Sequence, residues 1–225
     1  MTTHYSNIPN DTKAVPIASC LPKRGLYETV FKRGFDIFIV LLALPIILPI
    51  IAVLAFLVAR DGSGAFYCQK RVGRGGEIYR MWKLRTMVAN ADQQLKDYLA
   101  SNPVAHAEWT TTQKLKKDPR ITPIGRVLRK CSMDELPQLW NVLIGDMSLV
   151  GPRPMLPEQQ ELYPGLAYYN QRPGITGIWQ VSQRNESTFA DRARFDTDYS
   201  ANITFTNDVR LLLATAQVVV RGTGY

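Results

Sequence analysis

From Ile37 to Ala59 the chain runs for 23 residues without a charge, "IFIVLLALPIILPIIAVLAFLVA". As a helix at 1.5 Å per residue this is about 34 Å, enough to cross a hydrocarbon core of about 30 Å. A single membrane anchor is the plain reading. Two features oppose it. Pro45 and Pro49 fall inside the run, and each removes a backbone donor and disturbs a helix. A turn near Pro49 leaves uncharged arms of 12 and 10 residues, about 18 and 15 Å long and each too short to cross. Both flanks are also basic, with Lys23, Arg24, Lys32 and Arg33 before the run and Arg60, Lys70, Arg71 and Arg74 after it. Basic flanks favour the cytoplasmic side, so both ends are expected there. A reentrant helical hairpin hinged at Pro45 and Pro49 satisfies length and charge together. A kinked single span satisfies length alone, and prolines do occur in membrane helices.

Three segments follow from this. Residues 1–22 are polar and proline-dotted, as expected of a disordered tail, and lack the pattern of a signal peptide. Residues 23–60 form an amphipathic start and the membrane hairpin, and residues 61–225 a membrane-associated domain on the cytosolic side. Lys and Arg outnumber Asp and Glu by 27 to 19, which favours anionic partners: nucleic acid, acidic lipid or phosphorylated substrates. Three dispersed cysteines, Cys20, Cys68 and Cys131, argue against a disulfide framework. The two histidines, His4 and His106, adjoin no cysteine or carboxylate pair, so zinc chemistry and a histidine base are poor candidates. Carboxylates, arginines and a hard metal ion are left to carry any catalysis. The sequons at Asn185 and Asn202 have meaning only in a secreted chain.

Within the domain, "AFYCQKRVGRGGEIYRMWKLRTM" (65–87) reads as two strands about a Gly-rich turn at 73–76. That turn matches a hairpin better than a phosphate loop. Helices are expected over 88–101, over 103–117 and from Pro123 through Arg129, the last capped by Thr122. "CSMDELPQLWNVL" (131–143) contains the adjacent carboxylates Asp134 and Glu135 at an expected helix start. Ser132-x-x-Glu135 fits a capping box, while Asp134 as cap puts Pro137 in the first turn. An ordinary acidic helix start explains the pair as well. Arginines follow in rigid settings, Arg153 in "GPRP" and Arg172 in "RPGITG", suited to gripping phosphate oxygens bidentately. With Arg129 they could neutralise the repulsion between a carboxylate and a phosphate. A last helix with a broad apolar face is expected over 206–220, capped near Thr206 or Asn207.

Taken in order, "FKRGFD", the proline-broken run, "QKRVGRGGEIYRMWKLRTM", "DPRITPIGRVLRKCSMDELPQLWNVLIGDMSLVGPRP", "RPGITGIWQV" and "FDTDY" resemble the bacterial sugar transferases, the monotopic polyprenol-phosphate phosphoglycosyl transferases. The segments "NPVAHAEW" and "RGTGY" look most like members that start exopolysaccharide synthesis with galactose-1-phosphate. The resemblance implies an α+β, mostly helical fold: a reentrant membrane hairpin and a small cytosolic catalytic domain with a β-hairpin and amphipathic interfacial helices. It implies that Asp134 attacks a UDP-hexose, releases UMP and holds a phosphosugar that undecaprenyl phosphate then takes. Glu135 would help hold Mg²⁺ at the Asp134–Glu135 pair or assist the acceptor. Arg129, Arg153, Arg172, Lys83 and Arg85 would bind phosphates or substrate, and Asp198 would add a further carboxylate. Galactose or glucose is favoured, and the implied location is the cytoplasmic face of a bacterial inner membrane. Leu48 stands where family members often have Ser before the hinge proline, and Leu84 replaces Phe in "KLRTM". A nucleic-acid partner is not expected: no helix-turn-helix, RNP aromatic set or zinc pattern is recognisable. A passive membrane scaffold is the remaining alternative, and a homo-oligomer is left open.

Overall fold

The computed structural model describes residues 25–112, 115, 117–182 and 189–221. The 1–22 tail, the sequon at Asn185 and the end of "RGTGY" lie outside the described residues. A π-helical turn, Tyr27–Phe31, leads into α1, Lys32–Ala59. This helix is long and apolar enough to cross a membrane. It continues through Pro45 and Pro49 without leaving helical conformation, so the prolines do not divide it into two separate helices. Helix α1 has no polar face to present to water, and Phe38, Leu42, Ile46 and Phe56 are exposed on it.

Strands β1 (Phe66–Val72) and β2 (Ile78–Leu84) pair antiparallel, from Phe66 opposite Leu84 to Val72 opposite Ile78. Between them Gly75 and Gly76 take φ of 73° and 86°, which only glycine adopts freely. The Gly-rich segment is thus a hairpin turn. Along β2, Tyr79, Met81 and Lys83 share one face by the period-two rule. Tyr79 and Met81 enter the core, and Lys83 continues that face into the candidate site. The free edge of β2 is satisfied by fully buried Asn141, whose side chain accepts from Trp82 N at 3.0 Å and donates to Arg80 O at 2.7 Å.

Helices α2 (Ala91–Ser101), α3 (Pro103–Thr112), α4 (Pro123–Lys130) and α5 (Gln138–Ile144) follow. Of the expected 103–117 helix, Pro103–Thr112 is helical and Leu115 is not; residues 113, 114 and 116 lie outside the described residues. Thr122 caps α4 as expected, its hydroxyl accepting from Gly125 N at 3.0 Å. The helix expected at Ser132 or Asp134 does not start there. Ser132 lies in the left-handed region at φ 55°, and Met133–Glu135 form a 3₁₀ turn without a side-chain cap. Pro137 lacks the N–H that an α-helix through Met133 requires, so Leu136 N bonds Met133 O instead and α5 begins after the proline.

Short parallel strands β3 (Ser148–Val150) and β4 (Gly174–Thr176) bring the "GPRP" and "RPGITG" segments side by side. A methyl group on Gly174 would lie 2.1 Å from Gly151 N, and one on Gly151 would lie 2.4 Å from Arg172 O. The motif glycines are therefore required by backbone contact. Helices α6 (Ile178–Val181), α7 (Arg192–Ala201) and α8 (Phe205–Arg221) complete the chain. The hydroxyl of Thr204, not of Thr206, caps α8 by accepting from Asn207 N at 3.2 Å.

Both ends of α1 are held by the body that follows. Near its start, Arg33 donates to the carbonyls of Val142 and Leu143 at the end of α5, at 2.5 and 2.9 Å. Buried Asp36 accepts from Ser148 Oγ at 2.7 Å and Leu149 N at 3.2 Å, and Val40 joins a core with Met81, Val142 and Leu149. At the other end Val58 packs with Leu84 and Leu128. Lys32 adds an ion pair of 2.5 Å to fully buried Asp208 of α8.

Gly174→Ala should destabilise the protein by about 3 kcal/mol, since the strands cannot separate without losing the core. Gly34→Ala, with nothing within 4 Å of the added methyl, should gain up to about 1 kcal/mol of helix propensity. Denaturant unfolding in detergent checks both; equal effects would contradict the packing.

Candidate active site

Asp134 sits in the 3₁₀ turn between α4 and α5, only 8% exposed. Lys83 of β2 places its Nζ 2.6 Å from Glu135 Oε1 and 3.8 Å from Asp134 Oδ2. Arg129, in the last turn of α4, is steered by an Nε bond of 2.9 Å to the Thr86 hydroxyl, and its charge acts on Asp134. The Asp134 carboxyl titrates above the ordinary aspartate range. Burial is the main cause, opposed by Lys83, reinforced by Glu135 and opposed again by Arg129. A buried carboxylate poised between two cations has the makings of a nucleophile.

A narrow cleft beside this pair is lined by Arg71, Lys83, Glu135, Gln138, Arg153 and Gln180 among others. Arg153 stacks over Trp179 at 5.1 Å, and Arg192 covers the same ring at 4.5 Å. Burial and the charges of Arg153 and Arg71 lower the Arg192 pKa to about 10, although Asp196 opposes the shift. Burial and Arg153 likewise lower Arg71. Three guanidiniums that repel one another form a site suited to a multivalent anion. Gln180 is 3% exposed, and neither of its amide atoms has a hydrogen-bond partner among the described residues. A buried unpaired amide costs about 1–3 kcal/mol, so a ligand that bonds it would recover that loss.

Of the residues expected to act, Asp134, Glu135, Lys83, Arg129 and Arg153 converge here. Arg85 does not. Its guanidinium is committed to Gly64 O, Met87 O, Val58 O and the Asp61 carboxylate, tying the end of α1 to β2. Arg172 bonds Gly145 O at 2.8 Å and lines a different cavity. Asp198 is exposed on α7; the inward carboxylate of "FDTDY" is Asp196, which accepts from Tyr163 at 2.7 Å and is pushed up to about 6 by burial. Pro45 and Pro49 lie exposed in α1. Sequence reasoning missed Arg71, Gln138, Gln180 and Arg192. Arg71 alone carried a signal, as a cation among strand positions that alternate between core and edge.

Among the described residues no three metal-ligating side chains cluster. Two adjacent carboxylates nevertheless fit Mg²⁺, which commonly takes one or two carboxylates together with substrate phosphates.

An apolar helix docked on a small α+β body, with a carboxylate pair enclosed by basic groups, defines a membrane-associated class of protein built to handle anions. The chain belongs to the bacterial sugar transferase family, whose model matches residues 27–222. It is 49% identical over 210 residues to the undecaprenyl-phosphate galactose phosphotransferase of Salmonella typhimurium, covering 92% of this chain and 44% of that protein. It is 46% identical over 195 residues to the UDP-galactose-lipid carrier transferase of Erwinia amylovora, covering 86% and 41%. The chain thus spans less than half the length of these two relatives. With the exopolysaccharide production protein ExoY of Sinorhizobium fredii it shares 42% identity over 221 residues, covering 96% and 93%.

As a nucleophile Asp134 would have to be ionised, and burial favours its neutral form. The acid limb of kcat/KM should therefore lie above the ordinary aspartate range, with activity lost as pH falls through it. Lys83→Gln removes a charge that favours ionisation and should move the limb of the residual activity further up. An unmoved limb would assign the titration to another group.

Proposed function

We propose that this protein transfers a hexose-1-phosphate from a UDP-sugar to undecaprenyl phosphate as the first membrane step of exopolysaccharide synthesis. The observation that carries this is the buried Asp134 beside Glu135, Lys83 and Arg129, in a family whose relatives are named for undecaprenyl-phosphate galactose phosphotransfer and for exopolysaccharide production. An Asp134 oxygen attacks the sugar-bearing phosphorus and forms an acyl phosphate bond. The phosphorus–oxygen bond to UMP breaks, and UMP leaves with the electron pair. A phosphate oxygen of undecaprenyl phosphate then attacks the same phosphorus, the bond to Asp134 breaks, and its carboxylate is restored. The product is undecaprenyl-diphosphate-hexose.

Each neighbouring group has a role in this scheme. Lys83 and Arg129 offset the repulsion between the Asp134 carboxylate and the phosphate, and favour its ionised form. Arg153, held against Trp179, and Arg71 bind the diphosphate, where planar guanidinium forks match phosphate oxygens. Gln180 offers a donor and an acceptor to the polar part of the donor substrate. Glu135, with Asp134, would hold Mg²⁺ once Lys83 yields its place to the ion. Bound there, the ion would supply charge neutralisation on the departing UMP phosphate. Galactose is the favoured sugar, because the Salmonella and Erwinia relatives are named for it.

The same scheme requires the site to face the cytoplasm, where UDP-sugars are made. A reentrant α1 meets that requirement. Its start and its end both pack on the one domain, through Leu44 and from Leu54, leaving only residues 45–53 between the attachments, about 14 Å of helix. That is short of a bilayer core, so α1 dips into the inner membrane from the cytoplasmic face and returns.

Asp134→Asn should abolish UMP release from UDP-galactose with undecaprenyl phosphate and abolish the covalent phosphosugar adduct, while the protein stays folded. Near-normal turnover would remove Asp134 as nucleophile. A panel of UDP-sugars in the same assay should give the highest kcat/KM for UDP-galactose. In intact inner membranes, cysteines introduced in the 1–22 tail and at residue 110 should both resist an impermeant periplasmic reagent. Labelling of the tail alone would mean that α1 crosses.

A further inference from the structure

A second cavity, larger than the cleft beside Asp134 and Glu135, is present among the described residues. About 330 Å³ in volume, it lies between the start of α1, the β1–β2 turn and residues 170–172, and it shares no lining residue with that cleft. This volume is within the range of small-ligand sites. Four cations line it, Lys32, Arg33, Arg74 and Arg172, against the carboxylates of Glu28 and Asp36. Lys32 is paired with Asp208, and Asp36 is held by Ser148 and Leu149. Arg33 and Arg172 are different. They donate to neutral carbonyl oxygens of the 142–145 segment, so these hydrogen bonds leave their charge in place. The two guanidiniums are near enough for Arg33 to lower the Arg172 pKa, after the effect of burial and against the opposing charge of Asp36.

The second observation is Gln171. It lines the same cavity at 6% exposure, and among the described residues neither its amide nitrogen nor its amide oxygen has a partner. An amide buried in this way is destabilising unless a ligand completes it. The position of the cavity narrows the ligand. Its α1 residues, Lys32, Arg33 and Asp36, immediately precede the apolar run, where Phe38, Leu41 and Leu42 are exposed. Cations at that point of a membrane helix sit at the level of lipid headgroups. Acyl chains lying along those exposed side chains would bring their phosphate to the cavity mouth.

We infer that this cavity is a binding site for the phosphate of a membrane phospholipid, separate from the catalytic cleft, with Arg33, Arg172 and Gln171 as its principal ligands. The site would fix the depth and angle at which α1 and the body meet the bilayer. It goes beyond the proposed transfer reaction and does not depend on it.

The test uses the full chain in neutral detergent, without UDP-sugar, titrated calorimetrically with dihexanoyl-phosphatidylglycerol below its micelle concentration. This phosphodiester cannot act as a sugar-phosphate acceptor. Wild type should bind it saturably, and Gln171→Leu and Arg172→Gln should each weaken binding at least tenfold. Gln171→Leu should keep or raise Tm, because it removes an unpaired buried amide, so weaker binding cannot be put down to unfolding. Lys83→Gln in the catalytic cleft should bind as wild type does. Glycerophosphoglycerol and inorganic phosphate form the remaining arms. Binding at least tenfold weaker than that of the lipid supports a lipid site, and equal affinity overturns it in favour of a free-anion site. Absence of saturable binding, or loss of binding in Lys83→Gln with Gln171→Leu unaffected, overturns the assignment.

Discussion

The anchoring of α1 by its first two turns is the constraint on which the rest of the structure depends. Asp36 enters the core of the body and is satisfied there by Ser148 and Leu149, while Arg33 completes the open carbonyls at the end of α5. A buried carboxylate with two donors fixes direction in a way that apolar contact does not, since each bond has a preferred geometry. Lys32 extends the link to Asp208 in α8, where Tyr27 and Tyr199 also donate. The most apolar helix in the protein is thereby attached through polar bonds, and the segments that carry Asp134 and Arg153 are fixed relative to it.

The site itself depends on concentrating positive charge without cancelling it. Arg153 lies close enough to Arg71 and Arg192 to lower the proton affinity of both, and Trp179 lies beneath Arg153 and Arg192. An aromatic face stabilises a guanidinium yet leaves its charge available. Asp134 is buried next to Glu135, with Lys83 and Arg129 opposing the rise in its pKa. The result is a carboxylate that takes up a proton above the ordinary aspartate range, set among cations suited to an anion.

Much of the site was legible because its chemistry is local. Asp134 and Glu135 are adjacent, and Arg129 lies five residues ahead of Asp134 on a helix whose Thr-Pro start is explicit in the chain. The β-hairpin was equally legible from alternation and the Gly-rich turn. What failed did so through contacts distant in sequence. Arg85 carries the same charge as Lys83, two residues away on the same strand pattern, but its donors are taken by the end of α1. In "FDTDY" the two aspartates cannot be ranked by composition. Helix phase on α7 turns Asp196 inward to Tyr163 and leaves Asp198 in solvent.

The sequence by itself determined the apolar run, the basic flanks, the hairpin and the carboxylate pair, because each follows from neighbouring residues and short-range periodicity. It also restricted residues 151 and 174 to glycine, although the reason, a backbone approach between β3 and β4, is not visible in the chain. Only the tertiary structure decided which cations share a cleft. Arg153 joins Lys83 and Glu135 because parallel pairing of β3 with β4 brings "GPRP" beside Gly174, while Arg172 is drawn by the end of α5 to the opposite grouping with Arg33. Charge can be counted along a chain, but which charges meet is settled by packing between elements far apart in sequence.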